Sequence, residues 1–499
     1  MANPSIPAPR LVRYLSALAG APPNPTTAAY LAALDGVSAI SPLVADTILQ
    51  ELRDQRQNLK LIASENFSSL AVQLAMGNLL TDKYAEGYPQ HRFYAGCDNV
   101  DVIESEAARL ACELFGAEHA YVQPHSGADA NLVAFSAILL AKVEKPLLEK
   151  MGEPNVAKLE REQWNQVRSA LHGQRLLAQD YYSGGHLTHG YRFNISGHLF
   201  DVHTYRVDQK TKLIDLDVLR KQLHEVKPLI LLAGYSAYSR KLNFAKMREL
   251  ADEVGAVFMV DMAHFAGLVA GKVFTDDFDP IPHAHVVTST THKTLRGPRG
   301  GIVLCKKEFS EHVDKGCPTV MGGPLPHVMA AKAVAFKEAM APEFAVYAQR
   351  IVQNSQSLAQ EFLGLEVLVL TGGSDNHLLL VDVGRSFGLT GRQAESALRE
   401  CGITLNRNSL PDDPNGPWYT SGLRFGTAAA TTLGMGAPEM KEVAAIVREV
   451  LSATKPAVTS KGEPSQAKYD IDSAAKPRAR ERVAELLRDF PLYPELGEI

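Results

Sequence analysis

A lysine stands in a polar, glycine-rich segment, TSTTHKTLRGPRGG (288–301), between two apolar stretches. HAHVV (283–287) leads into this segment and GGIVLC (300–305) leaves it, which predicts a turn between two strands around Lys293. A lysine whose pKa is lowered by burial or by neighbouring cations becomes a nucleophile and can form a Schiff base with an aldehyde. The aldehyde that enzymes use most often in this way is pyridoxal phosphate (PLP). It also needs an acid for its pyridine nitrogen, an anion site and a group packed against its ring.

Two segments offer the acid and the anion site. AVFMVDMAHFAGL (256–268) places Asp261 at the end of an apolar strand, where a buried carboxylate needs a cation such as a protonated pyridine. A helix N-cap or a metal ligand is the alternative interpretation of Asp261. QPHSGADANLVAFSAIL (123–139) predicts a turn that opens a helix, and the first N–H groups with the Ser126 hydroxyl can hold a phosphate. Many helices begin with Ser-Gly, so this segment alone decides little.

Two further segments suit the ring and the substrate. GGHLTHG (184–190) has two histidines three residues apart between glycines, which fits a zinc ligand pair or an imidazole stacked on an aromatic cofactor. TSGLRFGT (420–427) places Arg424 in a strand-like stretch, where its guanidinium can bind an amino-acid carboxylate through two parallel hydrogen bonds. A surface salt bridge is the default alternative for an arginine. Together the four segments predict a PLP enzyme that acts on an amino acid.

The elements that would position these residues alternate between helix and strand. The stretches LIDLDVLRKQLHEV, PLILLAGY, FAKMRELADEVG and AVFMVD follow one another along the chain. This alternation predicts a mainly parallel sheet covered by helices, with ligands bound at the carboxyl ends of the strands. Neither a P-loop nor a G-x-G-x-x-G dinucleotide fingerprint is present in the sequence.

The outer parts of the chain have their own compositions. The first residues of the chain contain arginines and no acidic residue, a composition that resembles a transit peptide. A floppy Ala/Pro-rich arm is the favoured interpretation. Residues 141–177 predict a helical insertion on the surface, KPAVTSKGEPSQ (455–466) predicts a polar linker, and 479–494 predicts an amphipathic terminal helix. We expect three parts: an arm over 1–56, a cofactor-binding large domain over 57–345 and a small domain over 346–499.

The composition excludes several classes of protein. Of the 499 residues 45% are hydrophobic, so the chain can bury a large core. A net charge of -5 gives no general attraction to nucleic acid, and no apolar run reaches the ~18 residues that span a membrane. The 5 cysteines form no C-x-x-C pair, which indicates a reducing compartment and neither a disulfide framework nor a cysteine zinc site. We therefore expect a cytoplasmic protein with no metal, no membrane contact and no nucleic-acid partner.

Eight ordered segments resemble the serine hydroxymethyltransferase family. They are LIASENF (61–67), KYAEGYP (83–89), QPHSGADAN, GGHLTHG, SAYSR (236–240), VDMAHFAGL, TTHKTLRGPRGG and TSGLRFGT. The resemblance covers roughly residues 50–455 and the terminal helix. It implies an α/β enzyme of PLP fold type I (aspartate aminotransferase-like), with a mainly parallel large domain and a smaller α+β C-terminal domain. It also implies a homodimer with shared active sites, which converts serine and tetrahydrofolate reversibly into glycine and 5,10-methylenetetrahydrofolate.

The resemblance also implies roles for individual residues. The cofactor would be held by Ser126, Gly127, His186, Ser236, Asp261, His264, Thr290 and Lys293, and by Tyr84, Gly322 and Gly323. Catalysis would involve Lys293, Glu86, Asp261, His264, His186, Tyr94 and His292, with Glu86 in proton transfer. The substrates would contact Ser64, Arg424, Tyr94, Glu86, Arg299, Gly185, Leu187 and Asn408, the last three of these for the folate. Tyr84, Glu86, Tyr94, Gly322 and Gly323 would come from the neighbouring subunit.

The sequence departs from the family pattern at a few places, and other functions compete with this one. Ala128 stands where a hydroxyl residue is usual and Phe265 where a β-branched residue is usual, while the arm and the 141–177 region are long. A folate-independent aldolase or racemase would use the same PLP apparatus. A non-catalytic descendant would be expected to lose Lys293 or Glu86, and both are present.

Overall fold

The computed structural model describes residues 8–497. Its strands are β1 (Leu59–Lys60), β2 (Gly87–Tyr88), β3 (His91–Arg92), β4 (His119–Tyr121), β5 (Arg175–Gln179), β6 (Asp201–Tyr205), β7 (Ile230–Ala233), β8 (Val257–Asp261), β9 (Val286–Thr290), β10 (Gly301–Cys305), β11 (Leu378–Asp382), β12 (Ile403–Thr404), β13 (Asn406–Asn408), β14 (Gly422–Gly426), β15 (Thr454–Val458) and β16 (Pro464–Ile471). Its helices are α1 (Pro9–Ala17), α2 (Pro25–Ile40), α3 (Pro42–Gln57), α4 (Leu70–Met76), α5 (Asp98–Phe115), α6 (Gly127–Leu139), α7 (Lys145–Met151), α8 (Arg161–His172), α9 (Ser196–Leu199), α10 (Leu216–Val226), α11 (Phe244–Glu253), α12 (Ala266–Ala270), α13 (Pro280–His283), α14 (Lys307–Asp314), α15 (Gly316–Thr319), α16 (Pro326–Ala339), α17 (Pro342–Gly364), α18 (Val383–Phe387), α19 (Gly391–Glu400), α20 (Gly416–Tyr419), α21 (Ala428–Thr432), α22 (Ala437–Ser452) and α23 (Ala475–Asp489).

A seven-stranded sheet in the order β4-β10-β9-β8-β7-β5-β6 forms the centre of the large domain. The neighbours from β9 to β6 are parallel, and β10 is antiparallel to both β9 and β4. Both faces of the sheet are buried, because alternate residues of β7 enter different apolar clusters: Leu231 one and Ile230 the other. The predicted α/β class with a mainly parallel sheet is confirmed.

A second core lies in the C-terminal part of the chain. The antiparallel sheet β11-β14-β13 and the parallel pair β1-β12 pack with α17, α19, α22 and α23 around it. The predicted terminal helix is present, although it begins at Ala475 and ends at Asp489, before Pro491. Its Val483 and Leu487 are buried in this core. The second core fits the predicted smaller α+β unit, while the exact domain boundaries stay a prediction.

The floppy N-terminal arm was a wrong prediction for the described residues from 8 onward. Three helices occupy this region, and each begins with a proline in its first turn. The buried Asp35 carboxylate accepts hydrogen bonds from the backbone of Arg10 and Leu11 and ties α1 to α2. Arg56 at the end of α3 donates to the carbonyls of Leu492, Tyr493 and Gly497, so the arm is held by the C-terminus. Residues 1–7 lie outside the described part of the chain.

The predicted linker over 455–466 is also wrong. Most of it belongs to an antiparallel hairpin formed by β15 and β16, with a turn in which the Thr459 N–H donates to Glu463 at 2.8 Å. The Gln393 amide of α19 donates to the carbonyls of Ser465 and Lys468 and holds the hairpin on the domain. Polar side chains dominate because one face of β16 remains exposed.

Helices are present in the region that was predicted as a surface insertion, while its being an insertion stays a prediction. A π-helical turn (Leu140–Glu144), α7 and α8 fill most of 141–177. Residues from Arg175 onward are strand β5, and Leu176 and Leu177 are buried in the central sheet. No helix of residues 8–497 combines the length and the apolar character needed to cross a bilayer.

Candidate active site

Lys293 lies in the loop between β9 and β10, as the sequence predicts, although β9 begins later than 283–287. The loop is pinned by backbone bonds from Thr291 to Gly300 and from Gly297 to Thr291. Only 8% of Lys293 is exposed. Burial lowers the pKa of Lys293 to about 8; Asp261 opposes this shift, and Arg424 and Arg299 add to it. A fraction of the amine is therefore free to react near neutral pH.

Asp261 ends β8 and is surrounded by hydrogen-bond donors. Its carboxylate accepts from the Asn131 amide at 2.9 Å, from His189 Nε2 at 3.0 Å and from the Ala263 N–H at 3.0 Å. Burial acts to raise the pKa of Asp261, but His189 and the other neighbours outweigh it and hold the pKa well below its ordinary value. Because α12 begins only at Ala266, Asp261 is not its N-cap.

The start of α6 forms a cradle for an anion. Ser126 is the N-cap residue, and its Oγ accepts the Asp129 N–H at 3.1 Å, which leaves the hydroxyl hydrogen free to donate. Gly127 lies against β9, since a Cβ at this position would stand 2.6 Å from Cγ2 of Thr290. The free N–H groups of the first turn and the helix dipole favour an anion here. Ala128 follows without a side-chain donor.

The two histidines of GGHLTHG have different surroundings. His186 faces the cavity of Lys293, and burial lowers the pKa of its imidazole to about 4, so the ring is neutral. Its Nδ1 lies 2.7 Å from Oγ1 of Thr188. His189 points to Asp261 instead. The zinc alternative finds no support, because residues 8–497 contain no group of three or more acidic, histidine or cysteine side chains placed to hold a metal.

Arg424 of β14 is a partly buried guanidinium without an anionic partner in the described chain. It donates to the Ser236 carbonyl at 2.5 Å and to the Asn406 amide oxygen at 3.1 Å. Within the described chain it forms no ion pair with an acidic residue, so a surface salt bridge does not explain it. Burial lowers the pKa of Arg424 to about 10, which still leaves it protonated at neutral pH. Its remaining donors suit a ligand carboxylate.

One cavity of about 370 Å³ brings most of the predicted residues together. The predicted residues on its walls are Ser64, Ser126, Gly127, His186, Ser236, Asp261, His264, Thr290, His292, Lys293, Arg299 and Arg424. A neighbouring cavity of about 420 Å³ shares His186, Ser236 and Arg424 with it. This second cavity is lined by the three residues predicted for folate: Gly185, Leu187 and Asn408.

Five predicted residues lie elsewhere in the chain. Tyr84, Glu86, Tyr94, Gly322 and Gly323 do not line the cavity of Lys293. They form a cluster of their own, in which the Tyr94 hydroxyl donates to Glu86 at 3.3 Å and the Tyr84 ring packs edge-on against Tyr94. A Cβ at Gly323 would lie 3.3 Å from the Tyr84 ring. Tyr84 is 57% exposed, so this cluster is available at the surface.

Several residues of the site were missed from the sequence. Asn131 and His189 hold Asp261. Asn131 lies in a segment that was singled out for Ser126, and His189 was named only as one of a histidine pair, without this contact. Asn131 stands four residues after Gly127, which places it on the same face of α6. His377 lies behind His264, with its Nε2 3.1 Å from His264 Nδ1, and burial lowers the pKa of both. No pattern around His377 indicated this contact.

The fold and the site together define an α/β enzyme with a buried lysine nucleophile, of the kind found in PLP enzymes of fold type I. The sequence model of the serine hydroxymethyltransferase family matches residues 37–149 and 155–447. Serine hydroxymethyltransferase of Treponema pallidum is 59% identical over 485 residues, 97% of this chain and 84% of that protein. The enzyme of Salinispora tropica is 56% identical, over 95% of this chain and 99% of that protein. The enzyme of Mycolicibacterium smegmatis is 57% identical, over 94% of this chain and 95% of that protein. The chain belongs to the serine hydroxymethyltransferase family, which confirms the resemblance.

Proposed function

We propose that this chain is a PLP-dependent serine hydroxymethyltransferase, which converts serine and tetrahydrofolate reversibly into glycine and 5,10-methylenetetrahydrofolate. The observation that carries the proposal is one cavity that joins a buried lysine, an ionised buried aspartate and a partly buried arginine without an acidic partner. Its relatives with 51% to 59% identity bear that enzyme's name.

The residues of the cavity fit PLP. Asp261 is an anion with 8% exposure and needs a cation on its open side, which a protonated pyridine nitrogen supplies. Ser126, Gly127 and Ala128 at the start of α6 line the cavity, so the N–H groups of this first turn are available to a phosphate. His186 offers a neutral ring, and Lys293 offers an amine with a lowered pKa. Each of the cofactor's needs thus has a candidate side chain.

When bound, PLP supplies the electron sink for cleavage of the Cα–Cβ bond of serine. Asp261 keeps the proton on the pyridine nitrogen because its own pKa is held low by His189 and Asn131. Arg424, with Ser64 on the same wall, binds the substrate carboxylate and so orients the Cα–Cβ bond.

Glu86 is the proposed group for proton transfer, and it reaches the site from the partner subunit of a homodimer. In its own chain Glu86 lies outside the Lys293 cavity and accepts a hydrogen bond from Tyr94. Together with Tyr84 and the two glycines Gly322 and Gly323, it forms one patch that can complete a neighbour's cavity. The second cavity, with Leu187 and Asn408, is the proposed tetrahydrofolate site. We place the enzyme in the cytoplasm.

The test is an assay of serine cleavage by the purified protein, with and without tetrahydrofolate, alongside its absorbance spectrum. We expect a visible cofactor band and cleavage that depends on tetrahydrofolate. The Lys293→Gln variant should fold but lose both the band and multiple turnover. Equal serine cleavage without tetrahydrofolate would support an aldolase instead, and a normal band in Lys293→Gln would mean that another lysine carries the cofactor.

A further inference from the structure

A second buried lysine lies behind the anion cradle. Lys332 of α16 is 1% exposed, and its Nζ donates to the carbonyls of Val122 at 2.6 Å, Gly301 at 2.8 Å and Pro124 at 3.0 Å. An ammonium group has three N–H donors, so all of them are used. No acidic side chain in the described chain forms an ion pair with Lys332. A buried cation without an acid is costly, and the proposed mechanism does not use this one.

The three carbonyls belong to the segments that build the cradle. Val122 and Pro124 lie between β4 and Ser126, the N-cap of α6, and Gly301 begins β10. The Gly301 N–H also donates to the Pro124 carbonyl at 2.9 Å. The ammonium therefore joins the loop that carries Ser126 to the strand that follows the Lys293 loop.

Two glycines show how closely these parts are packed. A Cβ at Gly300 would lie 2.7 Å from Cε of Lys332, and a Cβ at Gly301 would lie 2.2 Å from the Ser126 carbonyl oxygen. Neither position can carry a side chain without moving the lysine or the cradle. The ammonium is thus held against the back of the cradle by packing as well as by hydrogen bonds.

We propose that Lys332 is a positioning residue for the cofactor's phosphate: it fixes the loop from Val122 to Ser126 and places a positive charge behind the anion. The inference rests on the proposed function, because it requires a phosphate at Ser126 and Gly127. Water is excluded around Nζ, so its charge is weakly screened at the cradle. Burial lowers the pKa of Lys332 to about 7, against the opposing effect of Glu104 and Asp129. A bound phosphate raises that pKa, so lysine and phosphate stabilise each other.

The experiment separates support of the phosphate from a general structural role of Lys332. Dissociation constants are measured on the apo protein for PLP and for 5′-deoxypyridoxal, which has the same ring and aldehyde but no phosphate. Lys332→Gln removes the charge but keeps an amide donor, and Lys332→Arg keeps the charge. Lys337→Gln, at an exposed position of the same helix, is the matched control. Circular dichroism checks that each variant is folded.

We expect Lys332→Gln to weaken PLP binding roughly 10- to 100-fold, as for lost hydrogen bonds and charge at a buried anion. The dissociation constant for 5′-deoxypyridoxal should change about threefold or less. In Lys332→Arg and Lys337→Gln, the dissociation constant for 5′-deoxypyridoxal divided by that for PLP should stay at its wild-type value. Equal losses for both ligands in Lys332→Gln would overturn the inference, because Lys332 would then have a general structural role. A reduced ratio of these two dissociation constants in Lys332→Arg would also overturn the inference, and this test remains if Lys332→Gln does not fold. Failure of the wild-type protein to bind PLP would contradict the proposed function instead.

Discussion

The lowered pKa of Lys293 predicts how fast the apo protein captures its cofactor at each pH. Only the uncharged amine attacks an aldehyde. With the pKa of Lys293 at about 8, ~10% of the amine is uncharged at pH 7. With the ordinary lysine value of 10.5 only ~0.03% would be uncharged, so the lowered pKa gives about 300-fold more uncharged amine at that pH.

The assay follows the visible absorbance that develops when saturating PLP is mixed with the apo protein between pH 6 and 10. We expect the rate constant to rise about tenfold per pH unit and then level off above about pH 8. Nα-acetyl-lysine mixed with PLP over the same range is the control, because it corrects for the ionisation of PLP itself. Its rate should keep rising to a pH well above that of the protein.

Two variants test the origin of the shift. Arg299→Gln removes a cation that lowers the pKa of Lys293, so the plateau should begin at a higher pH. Asp261→Asn removes the anion that raises this pKa, so the plateau should begin at a lower pH. A protein rate that climbs with the same profile as acetyl-lysine would refute the argument, since Lys293 would then titrate like a solvated amine. Shifts in the opposite directions would refute the assigned charge effects.

Three other expectations concern single side chains. Glu86→Gln should keep PLP and glycine binding but lose tetrahydrofolate-dependent serine cleavage by about 10²–10⁴-fold, and a near-normal rate would move the proton transfer to another group. Arg424→Gln should raise the KM for serine by at least ~10-fold, because a charged hydrogen bond contributes about 1.5–3 kcal/mol, whereas PLP retention on dialysis should be unchanged. Ala128→Ser should slow PLP dissociation on dilution and reduce any racemisation of alanine, because it adds a donor beside Ser126; unchanged dissociation would show that the cradle is already saturated.

The sequence predicts the residues whose signals are local. Lys293, Asp261 and Ser126 each stand where a strand ends or a helix begins, and side chains at these places meet at one edge of a parallel sheet. Their roles could therefore be proposed from order and spacing alone. The N-terminal helices were missed although the signal was present, because prolines at the starts of α1 and α2 were taken as marks of irregular chain.

Contacts between distant segments could not be predicted in this way. Asn131 and His189 meet at Asp261 from two other segments of the chain, and His377 reaches His264 from the C-terminal part. The β15–β16 hairpin has little apolar alternation because it is half exposed, and it is held by the Gln393 amide. In each case the partner is fixed by packing, which short sequence patterns do not contain.

The charges around the cavity explain why the site suits two anions. Lys293 and Lys332 are buried and Arg424 is partly buried, and none of the three forms an ion pair with an acid in the described structure, whereas the Asp261 carboxylate accepts hydrogen bonds from Asn131 and His189. Burial keeps the neighbouring ring of His186 neutral, so the surplus in this region is positive. Uncompensated buried charge lowers the stability of the empty protein. A phosphate at the cradle and a carboxylate at Arg424 restore the balance, so the same feature that destabilises the empty site favours binding of a phosphorylated cofactor and an amino acid.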